Sequence, residues 1–218
     1  MEIVSCILEV KITMSSYKYI RFILIVIPII FLGYLLYQDF SPSGRLVVDY
    51  DFCSLNPFVS VWSPHGRVLD IEKIKIDESK YCQQKMVIDP VYFDVRLPQN
   101  FTTARLTVWY QKSSEIKLQI GPAVDLSAWQ WRLKDINYAR AEGSWQVGIV
   151  EYDLVGSKLE NNRLHFLVSS HGLDTSGQEI IFRKIEIEFI KEPINSWPDL
   201  MERVKGFILF SRLKFLFR

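Results

Sequence analysis

The residues with most chemistry in them are indoles and a guanidinium set at strand spacing. Trp129 and Trp131 alternate in WQWRL with Arg132 beside them, and Trp109 lies opposite Val108 and Tyr110 in RLTVWY. Indole faces stack on the apolar C–H faces of sugar rings, while neighbouring amides and charges read hydroxyl groups. Trp109, Trp129, Trp131 and Arg132 are therefore the candidate ligand-binding residues. Trp pairs at this spacing also fill sandwich cores, and Leu133 continues the same face toward burial, so spacing alone leaves both readings open.

Catalytic chemistry finds less support. Ser169, Ser170, His171 and Asp174 bring a hydroxyl, an imidazole and a carboxylate close in sequence, but they share one turn and lack the glycine-flanked serine elbow of hydrolases. The carboxylates Asp70, Glu72, Asp77 and Glu78 fall in a stretch of alternating charge that reads as a solvated strand and turn. His65, His165 and His171 show no metal-ligand spacing. No catalytic residue, metal site or cofactor is expected from these residues. Asn100, Phe101 and Thr102 match a glycosylation acceptor, a pattern short enough to arise by chance. Twenty-six basic against 25 acidic side chains leave a formal net charge of +1, so bulk electrostatics does not favour nucleic acid as a partner.

These residues need elements to hold them, and the period of the sequence changes along the chain to supply them. Residues 22–37, FILIVIPIIFLGYLLY, carry no charge and span about 24 Å as a helix at 1.5 Å per residue. Tyr19, Tyr34 and Tyr37 are suited to headgroup level and Arg21 to snorkelling, so a transmembrane signal anchor is expected here. A cleaved signal peptide competes, but the residues after Leu36 offer no Ala-x-Ala-like site. Lys11, Lys18 and Arg21 before the run, against Arg45 with Asp39, Asp49 and Asp51 after it, keep residues 1–21 cytoplasmic and the remainder outside the cell membrane. Met14 opens a compact basic lead-in and is the alternative start.

After the polar linker 38–45, alternation takes over. Leu46–Phe52, Val91–Leu97 and Leu106–Tyr110 each set apolar against polar positions, and the pattern returns at 116–120, 129–133, 145–154, 163–170 and 179–190. Helical crossovers are missing, so residues 46–192 are expected to form an antiparallel β-sandwich or jelly roll. Cys53 and Cys82, which follow the anchor, are the pair available for a disulfide; buried free thiols are the equal alternative, and Cys6 lies on the other side. Beyond Pro193, Ser196 and Asp199 read as a capping box for a C-terminal amphipathic helix over 196–218. Its Trp197, Phe207, Phe210, Arg212, Lys214 and Phe215 are expected to contact the membrane interface.

The stretches DPVYFDVRLPQNFTTARLTVWYQ and LHFLVSSHGLDTSGQEIIFRKIEIEFIKEP resemble the middle and the closing strands of galactose-binding-like jelly rolls, the fold of many carbohydrate-binding modules. The layout also resembles membrane-anchored bacterial proteins. The resemblance implies a non-enzymatic envelope protein whose sandwich binds glycan or another surface component; a structural or assembly subunit contacting envelope proteins is the alternative, and an anchored hydrolase ranks third. It also implies a structural calcium ion in a loop, for which Asp174 and nearby carbonyls are the available ligands, although no dense ladder of Asp and Asn is present; no ligand-binding motif carries over with it.

Overall fold

Alternating side chains build most of this structure, because a strand with apolar groups on one face must bury that face against a second layer. The computed structural model describes residues 19–34, 43–54, 56–76, 79–113 and 116–193, with single positions 196, 198 and 201. The chain divides into two units, Met1–Ser41 and Pro42–Arg218.

In the first unit the described residues 19–34 are helical (α1) and include positions 22–34 of the apolar run read from the sequence. Tyr37 and the last part of that run lie outside the described residues. Among the described residues no helix is long and apolar enough to cross a membrane. The C-terminal residues Trp197, Phe207, Phe210, Arg212, Lys214 and Phe215 also lie outside them.

The described residues of the second unit form twelve strands: β1 (Arg45–Tyr50), β2 (Glu72–Ile76), β3 (Ser79–Met86), β4 (Val91–Arg96), β5 (Thr103–Gln111), β6 (Gln119–Asp125), β7 (Gln130–Trp131), β8 (Lys134–Asp135), β9 (Asn137–Glu142), β10 (Trp145–Asp153), β11 (Arg163–Ser169) and β12 (Ile180–Ile190). A short helix, α2 (Leu173–Ser176), occupies a stretch read from sequence as loop. A seven-stranded sheet runs β2-β3-β12-β5-β10-β9 with β1 also on β12, and a five-stranded sheet runs β4-β11-β6-β7 with β8 also on β6. Every strand pairing is antiparallel.

Between the sheets lies one apolar layer. Trp62 is fully buried; its ring stacks on Phe93 of β4 at 5.7 Å and meets Phe182 of β12 at 4.9 Å. Phe93 in turn stacks on Phe166 of β11 at 5.2 Å. The Tyr152 hydroxyl of β10 crosses this layer and donates to the Ile120 carbonyl of β6, and burial raises its pKa above the ordinary phenol range. The sheets are thus joined by packed rings and by one buried polar link.

Two further sequence expectations change. Residues 129–133 were expected as one strand, but only Gln130 and Trp131 pair, because residues 126–129 form a turn closed by the Trp129 amide on the Leu126 carbonyl. The strand expected at 116–120 starts later, at Gln119, and continues to Asp125.

Cys53 and Cys82 are joined by a disulfide, Cα–Cα 5.0 Å, that ties the segment after β1 to β3 across 29 residues. Removing both thiols as Cys53→Ala/Cys82→Ala should lower unfolding free energy by about 3.6 kcal/mol, the loop-closure value for this separation of 29 residues. The reading is a lower urea midpoint with the β-type circular dichroism retained; an unchanged midpoint would show that the bridge does not form.

Candidate functional site

In β4 the residues Val91, Phe93 and Val95 are buried, so Tyr92, Asp94 and Arg96 must point away from the core. The partner strand β11 does the same, and its register sets Tyr92 opposite Leu167, Asp94 opposite His165 and Arg96 opposite Arg163. The Leu97 amide donates to the Asn162 carbonyl at 2.8 Å, which makes Leu97 and Asn162 a hydrogen-bonded pair. The three outward pairs therefore occupy the alternate, non-hydrogen-bonded positions, where facing side chains lie closest. A ladder of apolar, acid–imidazole and guanidinium pairs runs up the outer face of the five-stranded sheet.

The apolar rung is completed from β7. Trp131 pairs with Ala123 of β6, and its ring lies 5.8 Å from that of Tyr92. Trp129, in the preceding turn, lies 6.2 Å from Tyr92 and 6.0 Å from Trp131. The three rings tilt by 34–46° to one another, a faceted cluster rather than one plane. Leu167 is buried although it belongs to the outer face, apart from the core cluster.

Two local features put the indoles there. A Cβ on Gly121 would meet the Arg132 carbonyl oxygen at 2.1 Å, so only glycine lets the chain after β7 turn back over β6. The turn before β7 is held by Asp125, whose carboxylate accepts from the Ser127 amide at 3.0 Å and from the Ser127 hydroxyl at 2.6 Å, and pairs with Lys158. The bond from Lys158, then that from Ser127, hold the Asp125 carboxyl down at about 2.

Trp129 is unusual twice over. It is 67% exposed, and its φ of 51° is left-handed, a conformation that costs a residue with a side chain about 1–2 kcal/mol. Neither feature serves packing of the core.

Higher on the ladder, His165 Nδ1–H donates to Asp94 Oδ1 at 2.6 Å, while Arg163 approaches Asp94 Oδ2 at 3.4 Å. The hydrogen bond from His165 is the main cause of the lowered Asp94 pKa; burial opposes it, and the charges of His165 and Arg163 reinforce it.

The four candidates from sequence separate in space. Trp129 and Trp131 come together on the outer face, which corrects the core alternative. Trp109 does not join them: it lies in β5 of the seven-stranded sheet, with its indole N–H on Glu142 and Lys184 Nζ 5.0 Å over its ring. Arg132 turns its guanidinium to the Asp153 carbonyl. Tyr92, Asp94, Arg96 and Arg163 were not singled out from sequence, and His165 was weighed only as a metal ligand, although the polar phase of β4 and β11 marks them as outward.

Other chemistry is sparse. Ser169 Oγ and the Ser170 amide both donate to Asp89, at 3.2 and 2.6 Å, which locks the turn after β11. Among the described residues no group of three or more His, Cys, Asp or Glu could hold a metal ion. Hollows of about 450 Å³ beside α2 and about 210 Å³ at Leu97, Phe101 and Leu154 include none of the three clustered rings in their walls.

No protein-family profile matches the sequence, and comparison with curated proteins returns no match. Solved structures similar to the chain include carbohydrate-binding modules and carbohydrate-active enzymes. The CBM22-1 xylan-binding domain of Xyn10C from Paenibacillus barcinonensis is 10% identical with a TM-score of 0.42, over 66% of this chain and 94% of that one. The xylan-binding module CBM15 is 13% identical at a TM-score of 0.43, over 68% and 99%. The mannan-recognising module TmCBM27 is 13% identical at 0.37, over 66% and 98%. At such scores the likeness adds nothing to the case for a function, which rests on the outer face itself.

Gly121→Ala should disturb the ring cluster selectively. The added methyl pushes the Arg132–Leu133 backbone off β6, so tryptophan emission should shift and acrylamide quenching rise, while circular dichroism keeps its β signature. Unchanged emission and quenching would show that the close approach does not set the indole positions.

Proposed function

We propose that the outer face of the five-stranded sheet binds glycan, as part of a non-enzymatic protein tethered to the cell membrane with its sandwich outside. One observation carries the binding reading: Trp129 stands exposed on a left-handed backbone beside Tyr92 and Trp131. A residue held at a conformational cost, with its apolar surface in water, is better accounted for by a ligand than by folding. Tilted rings suit a polymer whose successive sugars present their C–H faces at different angles, and Asp94 and His165 stand on the next rung to read hydroxyls.

Helix α1 supports the tether, since Phe22, Leu24, Ile25, Ile29 and Ile30 are each more than half exposed and water is a poor solvent for them. The disulfide supports an oxidising surrounding for the sandwich. A second reading, contact with an envelope protein, draws on the exposed apolar side chains Phe58, Val61, Leu69 and Ile71 along one segment.

Binding is tested by affinity electrophoresis of the full-length chain in gels containing xylan, glucomannan or polygalacturonate, beside pull-down on peptidoglycan. At least one polymer should retard the protein, and Trp129→Ala should weaken that interaction tenfold or more, as removal of a central Trp anchor does. Its stability should change by less than about 1 kcal/mol, since the ring is mostly exposed. Equal migration of both proteins in every gel, with no pull-down, would end the glycan reading.

For the topology, protease added to intact spheroplasts should digest the sandwich. Digestion only after lysis would place it in the cytoplasm.

A further inference from the structure

The guanidinium rung of the ladder is not accounted for by the fold. Arg96 and Arg163 face each other across β4 and β11 at a non-hydrogen-bonded position, where like charges directly opposite destabilise the pairing. Asp94 relieves only one of them. Its Oδ2 lies 3.4 Å from Arg163, and its Oδ1 is taken by His165.

Glu160 pairs with Arg163 across the Asn161–Asn162 turn, both at positive φ, yet its carboxylate makes no ion pair with Arg163. Among the described residues, no acceptor meets the exposed Arg96 side chain. An arginine is thus held at the surface beside a second one, with its forked donors open.

Position along the strand gives this charge its meaning. Arg96 is four residues from Tyr92 on the same face, roughly 14 Å at about 3.4 Å per residue. That is farther than one sugar unit reaches, and the surface between is polar, occupied by Asp94 and His165. A polymer stacked on Tyr92, Trp129 and Trp131 and running along β4 would carry a later unit onto Arg96 and Arg163. The group that matches a planar guanidinium there is a carboxylate, which it can grip with two parallel hydrogen bonds.

We infer that the ligand of this face is an acidic polysaccharide, with sugar rings stacked on Tyr92, Trp129 and Trp131 and a uronate carboxylate received by Arg96 and Arg163. This rests on the glycan reading above and specifies the class of glycan.

Polygalacturonate, alginate and glucuronoxylan, each beside its carboxyl-reduced neutral counterpart, separate the two claims. The full-length chain in detergent should bind at least one acidic polymer tenfold or more tighter than its reduced form, with the preference shrinking as salt is added. Arg96→Gln should erase the preference and leave the neutral form bound as before, whereas Trp129→Ala should weaken both forms alike. Binding indifferent to carboxyl reduction and to Arg96→Gln would overturn the acidic assignment while leaving glycan recognition standing. Failure to bind any of the six polymers, with xylan, glucomannan and peptidoglycan also negative, would overturn both.

Discussion

The stack of Trp62, Phe93 and Phe166 is the constraint on which the outer face depends. Strand side chains alternate with a period of two, so burying Phe93 forces Tyr92 and Asp94 outward, and burying Phe166 does the same for His165 and Leu167. A slip of one residue would put Asp94 and Arg96 into the apolar layer and Phe93 into water. Each large buried ring is worth about 1.5–3 kcal/mol, so the core enforces the register, and the register lines up the ladder. The chemistry of the face is a consequence of packing on the opposite side of the same two strands.

The indoles depend on a different device. Strand pairing alone would leave β7 at the sheet margin; it is the close passage of Arg132 over Gly121, with the Asp125-held turn before it, that brings Trp129 and Trp131 across toward Tyr92. Both devices use small or short polar residues, which adopt tight backbone paths at low cost. The cost is concentrated at Trp129, and a left-handed tryptophan persists there because the flanking turn and pairing over-determine it.

The sequence reveals these two layers unequally. Period-two alternation gives β1, β4, β10, β11 and β12 nearly to their ends, and the middle of β5, because each has one buried face. It also marks Tyr92, Asp94 and Arg96 as outward, but not that β11 would set His165 and Arg163 against them, since pairing joins residues about 70 apart. In WQWRL the spacing of the indoles is the same whether they sit on a strand or on a turn running into one, so alternation could not separate core from surface. Nothing in RLTVWY says which sheet Trp109 joins. The spacing of Cys53 and Cys82 likewise carries no information on distance, which is set by β3 pairing with β12 beside β1.

A comparison within the molecule explains why one face is the candidate site and the other is not. The seven-stranded sheet also has aromatic rings on its outside. Trp145 is 4% exposed and meets Tyr81 edge-on at 5.8 Å; Arg183 lies over both rings, and Lys184 over Trp109, whose N–H is already bound to Glu142. Those rings have their cations, their hydrogen bond and their cover, so a ligand would have to displace interactions already made. On the five-stranded sheet the corresponding positions are unfilled: among the described residues, no cation lies over Trp129 and no anion beside Arg96. An aromatic face recognises a ligand only where its faces and donors are left open by the fold. The two outer surfaces are built from the same residue types and differ in whether the protein has already satisfied them.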